Sequence, residues 1–333
     1  MLTAIAFLAI GLIILVKGSD IFVESAAKFA RLFGISTFVI GMSIVAIGTS
    51  LPELASSLLA TYYGNQGIAV GNIIGSNIAN IALVLALAVI LAKKIKVSKS
   101  IFDRECILLL AATALFAAFS QDGAITFYEG IFMLAAFAAY TAYLFKIIKR
   151  FRDLFDFGLY LRTFYHFGYG LANIFSKNAP SDGTEIGETK KNIVLFIVGL
   201  AGVLAGAHLM VQGAISLAEL FGVSDEFIGL TLVAVGTSLP EIAVSITSLR
   251  KGLLNIVVGN IIGSNIANIL LVGGLAALIM PLTFIPALTF LPMLFMAFIT
   301  MFFAFAIYGD WQFSKGEAIF MLIIYFIFIT SLF

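Results

Sequence analysis

Glu53 and Glu241 each lie in a long apolar run, and each ends nearly the same decapeptide. Ile44-Val45-Ala46-Ile47-Gly48-Thr49-Ser50-Leu51-Pro52-Glu53 returns as Leu232-Val233-Ala234-Val235-Gly236-Thr237-Ser238-Leu239-Pro240-Glu241. A second block, Gly71-Asn72-Ile73-Ile74-Gly75-Ser76-Asn77-Ile78-Ala79-Asn80-Ile81, returns unchanged at 259–269. Glu53 and Glu241, like Asn80 and Asn268, are 188 residues apart. One offset shared by both blocks marks a duplication. An ionised group at the centre of a bilayer costs roughly 2.5–3.5 kcal/mol on insertion scales. Two such groups, copied with their surroundings, point to an ion pathway.

The neighbours of each glutamate are oxygen donors. Pro52 has no N–H, so the Gly48 carbonyl loses its helical partner, and the ring disfavours helical geometry at Leu51. The helix is expected to break here, freeing carbonyls near Ala46 and Thr49, with Glu53 opening the next helical piece, where the dipole favours a carboxylate. Thr49 and Ser50 stand four and three residues before Glu53, so their side chains can converge on it. Ala234, Thr237, Ser238 and Glu241 repeat the arrangement. Asn72, Ser76 and Asn80 recur every fourth residue and form one polar stripe, repeated by Asn260, Ser264 and Asn268. Gly71 and Gly75, and Gly259 and Gly263, offer small faces for close helix approach. A site of carboxylates, hydroxyls, amide oxygens and carbonyls suits hard cations. Ca2+ tolerates such variable ligation better than octahedral Mg2+, and the same hydroxyls and carbonyls suit Na+. Plain helix packing is the competing explanation; it weighs equally for Asn72, Asn77, Asn260 and Asn265 and poorly for the two glutamates.

The elements that must hold these residues are membrane spans. Of 333 residues, 62% are hydrophobic and 11% charged, with a net charge of +1; soluble domains carry about 25% charged residues. Nothing suggests a nucleic-acid partner; membrane lipid is the expected surrounding. One cysteine, Cys106, and two histidines leave little for a thiolate or imidazole metal site. At about 20 apolar residues per span, ten candidates emerge: 2–29, 38–62, 68–92, 106–119, 125–145, 193–217, 227–248, 253–280, 286–307 and 315–332. The first lacks a basic leader and a cleavage site, so it reads as a span and not a removed signal. The expected fold is all-α integral membrane, with two five-helix repeats. Five is odd, so the second repeat enters from the opposite side and the halves are inverted, a transporter hallmark. The first repeat covers 1–148 with motif 44–81, the second 193–333 with motif 232–269, and 149–192 links them. Lys93, Lys94, Lys96, Lys99, Arg104, Lys146, Lys149, Arg150, Arg152, Arg250 and Lys251 all follow odd-numbered spans. Basic loops face the cytoplasm, which places both termini outside a cell membrane. The linker mixes basic and aromatic residues and then turns small and polar, as an interfacial helix with a flexible tail would. Asp20 and His208 are equivalent positions, read as polar contacts facing the interior.

These motifs resemble the calcium/cation antiporter superfamily, in its sodium/calcium exchanger branch. The likeness lies in GTSLPE followed by GNIIGSN, each present twice, within a ten-span layout covering nearly the whole chain. It implies that Glu53 and Glu241 bind Ca2+ together with the carbonyls of Thr49 and Thr237. It also implies Na+ sites using Ala46, Thr49, Ser50, Ser76, Ala234, Thr237, Ser238 and Ser264, with Asn80 and Asn268 lining the centre. Transported Ca2+ and Na+ are then substrates, and no cofactor is called for. Asn268 stands where potassium-dependent relatives carry Asp, which weakens a K+ role and removes a protonatable group. The loop after the fifth span is too short for the Ca2+-sensing domains of animal exchangers. The expectation is a non-enzymatic Na+/Ca2+ antiporter, with 3:1 exchange electrogenic. H+/Ca2+ exchange is the alternative and a cation channel a third. An intramembrane hydrolase would need unlike acid and base roles, whereas Glu53 and Glu241 have the same context.

Overall fold

The structure, a computed structural model, describes residues 2–32, 36–97, 105–145, 183–220, 234–284 and 286–331. Most of the expected linker (149–182), the basic residues 99, 104 and 146, and the first part of the seventh expected span lie outside the described residues.

In lipid the backbone must satisfy its own hydrogen bonds, and the apolar runs are accordingly helical. The first half contains α1 (Leu2–Leu32), α2 (Thr37–Thr49), α3 (Leu51–Tyr62), α4 (Gln66–Ala92), strand β1 (Lys94–Lys96), α5 (Ile107–Phe119), β2 (Ala124–Ile125) and α6 (Phe127–Leu144). The second contains α7 (Gly183–Leu220), α8 (Ala234–Thr237), α9 (Leu239–Arg250), α10 (Leu254–Ile279), β3 (Leu282–Thr283), α11 (Pro286–Asp310), β4 (Gln312–Ser314) and α12 (Lys315–Thr330). Helix α7 starts at Gly183, inside the segment expected to be linker. By length and apolarity six helices can cross a membrane, and the bent pair α2–α3 makes a seventh. Helices α5 and α12 are shorter, at 13 and 16 residues.

Burial orders these helices into centre and periphery. The two repeat helices α4 and α10 are 78% and 83% buried over their most apolar windows, against 22–33% for α1, α6, α7 and α11. Phe290, Phe305 and Phe326 point outward from the peripheral helices, as a lipid-facing surface allows. The site-bearing helices therefore sit at the core.

Helices α1 and α7, equivalent in the duplication, pack along their length and run antiparallel: Gly11 meets Met210, Gly18 meets Gly202, and Phe22 meets Gly199. A Cβ on Gly18 would fall 2.6 Å from the Gly202 carbonyl carbon, so only glycine allows this crossing. Asn192 Nδ2 donates to the Ser25 carbonyl at 3.2 Å near one end of the pair.

The strands exchange partners between halves. β1 pairs antiparallel with β4, Ile95 opposite Phe313, and β2 pairs antiparallel with β3, Ile125 opposite Leu282. By the 188-residue offset β1 is equivalent to β3 and β2 to β4. Each half thus supplies the same two strands, and each strand pairs with the other half's copy of its companion, β1 with the copy of β2 and β2 with the copy of β1.

Candidate cation site

The break falls at Ser50, between α2 and α3, with φ −84° and ψ 10°, and the two helices bend by 45°. Ser238 takes the same conformation between α8 and α9, φ −86° and ψ 1°. Pro52 and Pro240 lie in the first turn of the new helices, where a missing N–H is harmless. Glu53 and Glu241 occupy that same first turn, at the positive end of each helix dipole. One expectation needs correcting. The Ala46 carbonyl is not freed by the break, because it accepts the Ser50 N–H at 3.0 Å. It reaches the site through its second lone pair, facing the hydroxyls of Thr49 at 3.3 Å and Ser264 at 3.4 Å.

Both carboxylates are sealed from the surface, Glu53 at 1% exposure and Glu241 at 0%. They interact electrostatically with each other, and each meets the other half's hydroxyls: Glu53 meets Thr237, and Glu241 meets Thr49 and Ser50. Ser50 Oγ donates to Glu241 Oε1 at 3.3 Å. Both oxygens of Glu53 and Oε2 of Glu241 are buried without a hydrogen-bond partner. Leaving a buried polar group unsatisfied costs about 1–3 kcal/mol, more if charged, so the paired carboxyl groups call for a cation or a proton between them.

Beside them lies a knot of oxygens short of protons. Thr49 Oγ1 has one hydrogen, yet it lies 3.1 Å from Asn260 Oδ1, 3.3 Å from the Ala46 carbonyl and 3.4 Å from Ser264 Oγ. Ala46, Thr49 and Ser264, all among the residues expected at Na+ sites, are thus brought together from both halves. Among the described residues no cluster of three or more His, Cys, Asp or Glu forms; the chemistry rests on two carboxylates and neutral oxygens.

The remaining expected residues take several places. Asn80 Nδ2 donates to Asn265 Oδ1 at 3.0 Å, and Asn265 Nδ2 donates to the Asn77 carbonyl at 3.4 Å, which joins α4 to α10. Both amide atoms of Asn268 are buried without a partner, as is Ser238 Oγ. Ser76 is buried one turn before Asn80. Ala234 opens α8. Both Asn80 and Asn268 fall in π-helical turns, Asn80–Leu85 and Ala267–Val272. Such turns mark functional sites, and no residue pattern announces them.

Of the expected small faces, Gly259 and Gly263 press α10 against the backbone of α2 at Phe38 and Met42. Among the described residues the interior contact expected of Asp20 and His208 does not form. Asp20 is partly exposed, 3.7 Å from Lys251, and His208 is exposed. The polar line Ser57, Ser245, Ser248 beyond the glutamates also escaped the sequence reading, although its signal, Ser at the fourth and seventh residues after Glu241, is visible.

A membrane bundle with paired, buried carboxylates at its centre is the architecture of an ion antiporter. The family model for "Sodium/calcium exchanger protein" matches residues 3–146 and 191–333, and the chain belongs to that family. It is 36% identical to the sodium/calcium exchanger MaX1 of Methanosarcina acetivorans, over 98% of this chain and 97% of that one. It is 38% identical to the inner membrane protein YrbG of Escherichia coli, over 84% and 81%. Among solved structures it matches the sodium-calcium exchanger NCX_Mj, soaked with 2.5 mM Na+ and 0.1 mM Ca2+, at a TM-score of 0.80 and 33% identity, covering 99% and 98% of the two chains.

Proposed function

We propose that this protein exchanges Na+ for Ca2+ across the cytoplasmic membrane by alternating access, with ten spans in two inverted repeats and both termini outside. The repeats are 1–148 and 193–333, joined by 149–192. The observation that carries the reading is the pair Glu53 and Glu241, buried, facing each other, each met by the other half's hydroxyls. Antiparallel packing of α1 on α7 and the exchange of strand partners support the inversion. The relatives named as sodium/calcium exchangers support the choice of ions.

In this reading Glu53 and Glu241 neutralise one Ca2+, with the carbonyls of Thr49 and Thr237 completing its shell. Na+ uses Ala46, Thr49, Ser50, Ser76 and Ser264 with their partners Ala234, Thr237 and Ser238, and Asn80 and Asn268 line the centre. A filled site is close to neutral, which lowers the barrier to carrying it across low-dielectric surroundings. An empty site leaves two like charges together, which opposes transit unloaded and couples the two ions.

The test is Ca2+ uptake into proteoliposomes, comparing an outward Na+ gradient with an outward H+ gradient. Uptake is expected with Na+ alone, and Glu53→Gln or Glu241→Gln should lower it by at least about 100-fold, the loss of one charged ligand at about 3 kcal/mol. Full exchange in both variants sinks the assignment. Uptake driven only by H+ replaces the counter-ion and keeps the site.

A further inference from the structure

Beyond Glu241, helix α9 carries Ser245 and Ser248 on the same face, four and seven residues further on. Both are fully buried, and neither hydroxyl has a hydrogen-bond partner. With a rise of about 1.5 Å per residue, successive oxygens are offered about 6 Å and then about 4.5 Å along the helix. The line ends beside Lys251, which lies 3.7 Å from both Asp20 and Glu24 of α1. It therefore runs from the paired carboxylates to a partly exposed end, where Asp20 and Glu24 form ion pairs with Lys251 and Glu24 also pairs with Lys28 at 2.8 Å.

The other half does not build this line. The counterpart of Ser248 is Ala60, and Ser57, the counterpart of Ser245, is held by Asn72 Nδ2 at 2.9 Å. Asn260, equivalent to Asn72, instead accepts from Thr49, and its Nδ2 has no partner. Helix α9 packs against α1, α4 and α10, and no hydrogen bond from Ser245 or Ser248 fastens this face. On the neighbouring face Thr247 is tied to Ser19 of α1 by a hydroxyl contact of 2.8 Å. Bare buried hydroxyls on a face without a hydrogen-bonded seal are unfavourable in the closed packing, and each gains a partner when the face opens to water or an ion.

We propose that the α9 face bearing Ser245 and Ser248 is the route by which the cation passes between the paired glutamates and the Lys251 end of the molecule. The two hydroxyls serve as successive oxygen ligands for a partly hydrated Na+ or Ca2+. The route rests on the exchanger reading and adds residues that the reading does not require.

The chain has one cysteine, Cys106, which is buried, so a cysteine-free background is a single change, Cys106→Ala. In that background Ser245→Cys, Ser248→Cys and Thr247→Cys are reconstituted in proteoliposomes and exposed on both sides to a small cationic methanethiosulfonate, in Na+ and in Ca2+. Cysteine at 245 and 248 is expected to react at least about tenfold faster than at 247 in one of the two ions, and its modification should stop Ca2+ uptake. Rates equal to that at 247 in both ions, in variants that still exchange, overturn the route and leave the exchanger reading intact. If a cysteine variant does not exchange, Ser248→Ala decides. Removing a hydroxyl that only the open face satisfies should slow uptake about tenfold without changing the Ca2+ concentration at half-maximal rate. Uptake at the wild-type rate in that variant overturns the route. A wild-type protein that moves no Ca2+ under a Na+ gradient sinks the function itself instead.

Discussion

Asn72 and Asn260 are equivalent in sequence and unlike in space. Asn72 donates to the Glu53 carbonyl at 3.1 Å and to Ser57 Oγ at 2.9 Å, fastening α4 to the helix that carries the first glutamate. Asn260 faces across to Thr49. Removing Asn72 leaves a carbonyl and a hydroxyl without that donor, so Asn72→Ala should lower stability by about 1–3 kcal/mol, read as an earlier thermal unfolding in detergent. Unchanged unfolding would mean that Asn72 contributes nothing to holding α3 on α4. The two glutamates are legible from sequence because a carboxylate inside an apolar run has no inexpensive structural explanation. The asparagines are not legible, because an amide can serve packing or ligation equally well. Their roles are assigned only by which oxygen the other half places beside each one. The same holds for Ala46, whose carbonyl enters the site through a second lone pair and not through a broken hydrogen bond.

At the scale of elements, one glycine sets how closely two helices approach. Gly263 on α10 packs so tightly on α2 that a Cβ would lie 2.7 Å from the Met42 Cα and 2.8 Å from the Ala46 Cβ. Gly263→Ala should therefore destabilise the protein by about 1–3 kcal/mol through overpacking. Thermal unfolding of the variant in detergent tests this, and an unchanged midpoint would contradict it. The helix positions themselves are readable: each of the ten apolar segments contains helix in its described part, with ends shifted by a few residues. Pro52 and Pro240 betray the two broken spans, although the kink falls at the preceding serines because proline suits a first turn. Helix α7 begins ten residues before its apolar run, since a helix once nucleated continues through polar residues at little cost. The π turns at Asn80 and Asn268, and the short strands that tie the halves, depend on tertiary partners and leave no periodic trace.

For the whole molecule, the duplication makes charge arithmetic the sharpest consequence. The centre holds two carboxylates, one from each half, and among the described residues no group of three or more His, Cys, Asp or Glu forms. In the proposed exchange, one Ca2+ brings the pair to neutrality. Three Na+ leave one positive charge, so exchanging three for one moves net charge across the membrane in every cycle. A charge crossing the full potential changes energy by about 2.3 kcal/mol per 100 mV. In Na+-loaded proteoliposomes, a K+ diffusion potential set with valinomycin should therefore alter the initial rate of Ca2+ uptake. Uptake should rise when the potential is positive inside, because the outgoing Na+ carry the surplus charge, and fall when the potential is negative inside. The size of the change depends on how much of the field is crossed in the slow step, but its sign does not. A rate indifferent to potentials of both signs would mean that two Na+ exchange for one Ca2+.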